Sequence, residues 1–157
     1  MSDQNEIFKE LYRQTERQLE VQLTVAGLRD QRSLVITGFS VVSSGFALNA
    51  FSTSDSKIFL AASLLFMVAA AFGALAAVPR QYFGGGYRYN ELIQVVDHLD
   101  SEAAFFASLA SKNDEYIEAN DRSEFYSINL YRCALGVFFV GGFAAVIALL
   151  VQSRGTP

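Results

Sequence analysis

With 157 residues the chain has room for one domain, and 52% hydrophobic content with a positive mean hydropathy is too apolar for an ordinary soluble domain of that length. A net charge of −4 with no basic patch argues against a nucleic-acid partner. The polar, mixed-charge start from Met1 to Glu20 lacks the basic-then-apolar order of a secretory signal, so the mature chain is expected to keep its N-terminus.

Residues 5–32 contain no Pro and place Phe8, Leu11, Tyr12, Leu19, Leu23 and Ala26 at spacings of three, four and seven, which predicts an amphipathic helix. Leu19, Val21, Leu23 and Val25 also alternate as a strand would. An isolated strand leading straight into an apolar helix has no partner, and helix is the expectation.

Three stretches, 34–51, 58–78 and 133–151, contain no Asp, Glu, Lys, Arg or His. Each is about 18 to 21 residues long, enough at ~1.5 Å per residue to cross a hydrocarbon core of ~30 Å as a helix that satisfies its own backbone. In the first, Ser33, Thr37, Ser40, Ser44 and Ala47 fall in one stripe, while Gly38, Gly45 and Asn49 lie almost opposite. The second carries Ala62, Ala69, Gly73 and Ala76 in one stripe, and the third Ala134, Gly141, Ala145 and Ala148. Small residues let backbones approach where lipid supplies no drive to associate, so each stripe is a candidate packing seam. The hydroxyl stripe of Ser33, Thr37, Ser40 and Ser44 has two readings: packing with hydroxyls bonded back to their own helix, or the lining of a pore or subunit contact. Two such faces would make the first helix the central one.

Lys and Arg fix an expected orientation. Arg29 and Arg32 precede the first span, Arg80 and Arg88 follow the second, and Arg122 and Arg132 precede the third, whereas the Ser52–Lys57 loop has one Lys and the tail one Arg154. The basic side is cytoplasmic, which puts the N-terminus inside and residues 152–157 outside.

Pro79 is expected to close the second span, and Tyr82, Phe83, Tyr87 and Tyr89 around Gly84-Gly85-Gly86 read as an interfacial aromatic belt with a turn in it. The glycine run lacks the Lys-Ser/Thr and the preceding strand of a phosphate loop. Residues 90–131 read as a cytoplasmic helical hairpin. Asn90 caps a first arm bearing Leu92, Val95 or Val96, Leu99, Phe106 and Leu109, the turn falls at Ser111-Lys112-Asn113-Asp114, and a second arm with Tyr116, Ile117, Phe125, Tyr126 and Ile128 leads into the third span. The expected fold is an all-α membrane protein of three transmembrane helices plus a cytoplasmic stalk made of the N-terminal helix and this hairpin.

No catalytic set is visible. His98 beside Asp97, Asp100 and Glu102 has no second His, and adjacent helical positions point apart, so no metal and no cofactor are expected. The single Cys133 reads as a small packing residue. The lack of ionisable residues inside the spans disfavours a proton-coupled pump.

The run Leu28-Arg29-Asp30-Gln31-Arg32-Ser33-Leu34 entering a Gly/Ser-containing span, the exit at Val78-Pro79-Arg80, and Asn120, Arg122 and Arg132 before a final span resemble small bacterial membrane effectors of the Pycsar-effector and SLATT type. The resemblance implies antiphage defence: inner-membrane homo-oligomers that permeabilise or depolarise the membrane when a sensor protein or nucleotide signal reaches the cytoplasmic helices. The chain departs from that pattern in having no nucleotide-sensing domain. The alternative is an interaction subunit that anchors a cytoplasmic sensor or enzyme and forms no pore. An enzymatic reading would need convergent polar groups, and none is seen.

Overall fold

A computed structural model describes residues 2–78, 80, 82–87 and 101–155. It contains three long helices and, among the described residues, no strand: α1 (Ser2–Ser54), α2 (Lys57–Ala76) and α3 (Glu102–Gly155). All three are long and apolar enough to cross a membrane. The alternation from Leu19 to Val25 is helical, and no break separates 5–32 from 34–51, where no Pro intervenes.

Local chemistry sets the ends of the helices. In the last turn of α1 the hydroxyls of Ser52 and Thr53 donate to the Asn49 carbonyl at 2.7 and 3.0 Å, and that of Ser54 donates to the Ala50 carbonyl at 2.7 Å. These are back-bonds to carbonyls of the helix's own last turns, and the Asp55 N–H makes the final backbone bond, to the Phe51 carbonyl at 2.8 Å. Asp55 then takes a positive φ of 49°, a left-handed conformation its short polar side chain tolerates. At the far end of α2 the Ala77 N–H is shared between the carbonyls of Gly73 and Ala74, just before Pro79 in sequence.

The expected turn at 111–114 does not occur, since α3 runs through it unbroken. Ser111, Asn113 and Asp114 have the chemistry of caps, but the side chain of Asn113 is fully buried and bonds to other segments. The cap lies earlier, where Ser101 Oγ accepts from the Ala104 N–H at 3.2 Å and its carbonyl accepts from Phe105 N–H at 3.1 Å. The expected first hairpin arm, with Asn90, Leu92, Val95, Val96 and Leu99, lies outside the described residues up to 100. So do Pro79, Arg88, Tyr89, Asp97, His98 and Asp100.

The chain divides into two packed units. The first combines Met1–Gly27 with Arg80–Glu124, and the second combines Leu28–Pro79 with Phe125–Pro157. In the first, α1 meets α3 through buried Leu19, Ala26, Leu109, Ala110 and Ile117, with Tyr12 tilted against Phe106 at 5.9 Å between ring centres. Of the apolar face expected on 5–32, Leu19 and Ala26 are buried, whereas Leu11 and Leu23 are exposed.

In the second unit Ala47 of α1, Ala62 and Phe66 of α2, and Phe138, Ala144 and Ala145 of α3 form one apolar cluster. The enclosed helix is α2 rather than α1: 39% of its apolar stretch is buried, against 17% in each of the other two. Its small residues alternate between two faces, with Ser63 and Ala70 buried beside Ala62 and Ala69, so it accepts a neighbour on both sides.

Candidate functional site

Two polar constructions stand out, one in each unit. In the second unit the hydroxyl stripe of α1 faces inward. Ser33 and Ser40 are wholly buried and Ser44 nearly so, while Thr37 is half-buried and donates to the Ser33 carbonyl at 2.9 Å. Ser44 meets Ser63 of α2 reciprocally: the two Oγ atoms lie 2.9 Å apart, and each lies 3.1 Å from the other residue's carbonyl oxygen. One turn pair along, Gly73 lets the backbones close up, since a Cβ there would lie 2.5 Å from Thr37 Oγ1 and 3.2 Å from the Ser33 carbonyl. The face of α1 that sealing the bundle would have left to Gly38 and Gly45 is open instead, with nothing within 4 Å of a Cβ at either.

The other seams place Ala69, Gly73 and Ala76 in the interior from α2, and Gly141 and Ala148 from α3, with Ala145 half-buried. A Cβ at Gly141 would lie 3.2 Å from the Phe66 ring, and Phe66 tilts against Phe138 at 5.4 Å. The distribution is inverted relative to a water-soluble core. Ser33 and Ser40 are 0% exposed while Phe39, Phe46, Phe139 and Phe143 are 62, 71, 68 and 70% exposed. Water would drive those rings inward at about 1.5–3 kcal/mol each, whereas a hydrocarbon solvent imposes no such penalty and leaves close backbone packing and internal hydroxyl bonds to hold the helices.

The first unit contains a chain of buried side-chain amides that sequence reasoning missed. Asn120 is 1% exposed and grips the peptide of Phe83 on both sides: Oδ1 accepts from the Phe83 N–H at 2.9 Å, and Nδ2 donates to the Phe83 carbonyl at 3.1 Å. The same Nδ2 reaches Gln22 Oε1 at 3.3 Å, and Gln22 Nε2 donates to Asp121 Oδ1 at 2.7 Å and to the Ile117 carbonyl at 3.4 Å. Two turns earlier Asn113 Oδ1 accepts from the Gly86 N–H at 2.9 Å while Nδ2 donates to Thr15 Oγ1 at 3.1 Å. Tyr87 Oη lies 2.6 Å from Ser108 Oγ, Arg80 Nη1 donates to the Ser123 carbonyl at 3.0 Å, and Phe83 stacks on Tyr116 at 5.0 Å and 5°.

A seven-residue separation returns to nearly the same side of a helix, so Asn113 and Asn120 present a two-point clasp to the segment 82–87. Gly86 adopts a φ of +86°, which a residue with a side chain rarely takes, and this aims its N–H at Asn113. Buried amides cost stability unless bonded, and these use both their donor and acceptor atoms. Asn113 and Asn120 share one helical stripe with the buried Leu109 and Ile117, a spacing that suits core positions as well as caps.

The chemistry of the clasp is that of neutral amides, suited to holding a segment rather than to transferring protons. The Tyr12 phenol has a raised pKa: burial raises it, and the Glu16 carboxylate, by its charge and by the 3.3 Å hydrogen bond from Tyr12, raises it further. Among the described residues no three His, Cys, Asp or Glu side chains converge as metal ligands, and Cys133 is an exposed free thiol. No known protein family, curated protein or solved structure matches the chain.

Proposed function

We propose that the chain is a three-span protein of a bacterial inner membrane that works without enzyme chemistry, as a homo-oligomeric effector. A signal received by its cytoplasmic helices leads it to permeabilise or depolarise the membrane, in the manner of the antiphage effectors it resembles. The observation that carries membrane immersion is the inverted interior, with hydroxyls and small residues inside and aromatic rings outside. Arg29, Arg32, Arg80, Arg122 and Arg132 at the same ends of the apolar stretches support a cytoplasmic N-terminus and an external tail.

Support for the effector reading comes from the α1 seam. Ser33 Oγ and Ser40 Oγ are buried with no hydrogen-bond partner, and a rearrangement that wets them relieves that cost. Three helices enclose no useful channel, so conduction requires several copies. Purified protein in vesicles loaded with a small dye is expected to release it once oligomers form. Intact vesicles in every oligomeric condition would remove the pore.

The closed Ser44–Ser63 contact favours a second reading, an anchor that holds a cytoplasmic sensor or enzyme at the membrane. Under it, Ser33→Ala with Ser40→Ala leaves activity unchanged, and charge reversal at Glu118 and Arg122 abolishes it.

A further inference from the structure

The second unit has a groove of about 290 Å³ between α1 and α3 that the small-residue seams leave unfilled. Six residues line it: Leu28, Gln31, Arg32, Val35, Ile36 and Tyr131. Arg32 is its one charged residue and the last charge on α1 before Asp55, so its guanidinium stands where the uncharged stretch begins. It is exposed, and among the described residues no carboxylate lies within ion-pair reach of it.

We infer that this groove binds the headgroup and upper acyl chain of one anionic phospholipid. The inference rests on the membrane placement proposed above. A guanidinium offers a planar fork that takes two oxygens of a phosphodiester, and a single Arg matches a single negative charge. Gln31 and Tyr131 add neutral donors beside it. Val35 and Ile36, on the membrane side of Arg32, give the acyl chain an apolar track, and Leu28, one turn the other way, closes the end. The lining along α1 spans ~12 Å at 1.5 Å per residue, the depth of a headgroup and the first part of a chain rather than a whole lipid. Basic recesses between helices on the cytoplasmic side are where anionic headgroups are held, and a water-soluble anion would gain nothing from the apolar half of this one.

The test is retention of lipid by the full-length protein extracted from bilayers of phosphatidylcholine mixed with phosphatidylglycerol, counted by native mass spectrometry. The wild type is expected to keep one phosphatidylglycerol in preference to phosphatidylcholine. Arg32→Gln lowers that retention about tenfold, the size of one charge-assisted hydrogen bond, and Arg32→Lys restores part of it. Ile36→Trp, which fills the apolar end and leaves the charge, lowers it as well. Equal retention of the two lipids, or wild-type retention by Arg32→Gln, overturns the inference. So does displacement by millimolar glycerol phosphate, which would mark a soluble-anion site, or a change of oligomeric state in Arg32→Gln with lipid unchanged, which would mark a subunit contact. A chain that fails to enter bilayers at all defeats the membrane reading itself, whereas a chain that enters them without lipid preference defeats only the groove.

Discussion

Gly73 is the tightest approach in the α1–α2 seam, and a single methyl group tests it. In Gly73→Ala the new Cβ would lie 2.5 Å from Thr37 Oγ1, which can turn away only by giving up its 2.9 Å bond to the Ser33 carbonyl. That carbonyl is itself 3.2 Å from the methyl group and must recede with the backbone. A lost or distorted hydroxyl bond costs about 0.5–1.5 kcal/mol, and overpacking with backbone movement brings the total to about 1–3 kcal/mol. Gly→Ala also gains up to about 1 kcal/mol in helix propensity, which would mask part of the clash. Gly38→Ala supplies the control, because it carries the same propensity gain and its methyl group meets nothing within 4 Å. The difference between the two variants, measured by reversible denaturant unfolding in detergent micelles, should therefore be about 1–3 kcal/mol against Gly73→Ala. Adding Thr37→Ala to Gly73→Ala should return more than half of it. If Gly73→Ala and Gly38→Ala agree within about 0.5 kcal/mol, α1 and α2 do not meet at this glycine.

Asn120→Leu removes three hydrogen bonds at Phe83 and Gln22, and should speed hydrogen exchange at the Phe83 amide while leaving Leu109 and Ile117 packed; unchanged exchange there would refute the clasp. Asn113→Leu should do the same at the Gly86 amide. The pKa of Tyr12 is raised above its ordinary 10.0, so the unfolded chain ionises first as pH rises. Stability is then full below pH 10.0 and falls as pH climbs through the higher folded value. Tyr12→Phe should flatten that alkaline slope in unfolding experiments, and an identical slope would mean that another group causes it. Ser44→Ala should cost only about 0.5–1.5 kcal/mol in the same micelle unfolding assay, because the Ser63 hydroxyl keeps the backbone carbonyl of position 44 as its acceptor; a loss well above that range would refute this.

How much of this is legible in the sequence depends on the range of the interaction. Absence of charge over 34–51, 58–78 and 133–151 is a local property, and the helices follow from it, although α2 stops at Ala76, two residues short of its expected end. Spacing also picks out Ala69, Gly73, Ala76, Gly141 and Ala148, because a stripe of small residues is readable on one helix alone. Which stripe faces which neighbour is not readable in this way. The hydroxyl side of α1 turns inward because Ser63, nineteen residues away, answers Ser44, and Ser63 belongs to no stripe that stands out by itself. Asn113 reads as a cap for the same reason that it makes a good clasp, a short side chain with donor and acceptor. Only its partners Thr15 and Gly86, far away in the chain, decide between the two roles. Gln22 and Asn120, separated by 98 positions, give no local sign of meeting.

The proposed function requires three crossings of a bilayer with the N-terminus in the cytoplasm. Its most direct test is labelling of intact cells by a membrane-impermeant maleimide, with Cys133→Ala as background and Ser54→Cys, Ser111→Cys and Ser153→Cys introduced one at a time. Ser54→Cys and Ser153→Cys are predicted to react from outside, and Ser111→Cys only after the cells are broken open. Labelling of Ser111→Cys in intact cells, or recovery of the protein in the soluble fraction, would contradict it.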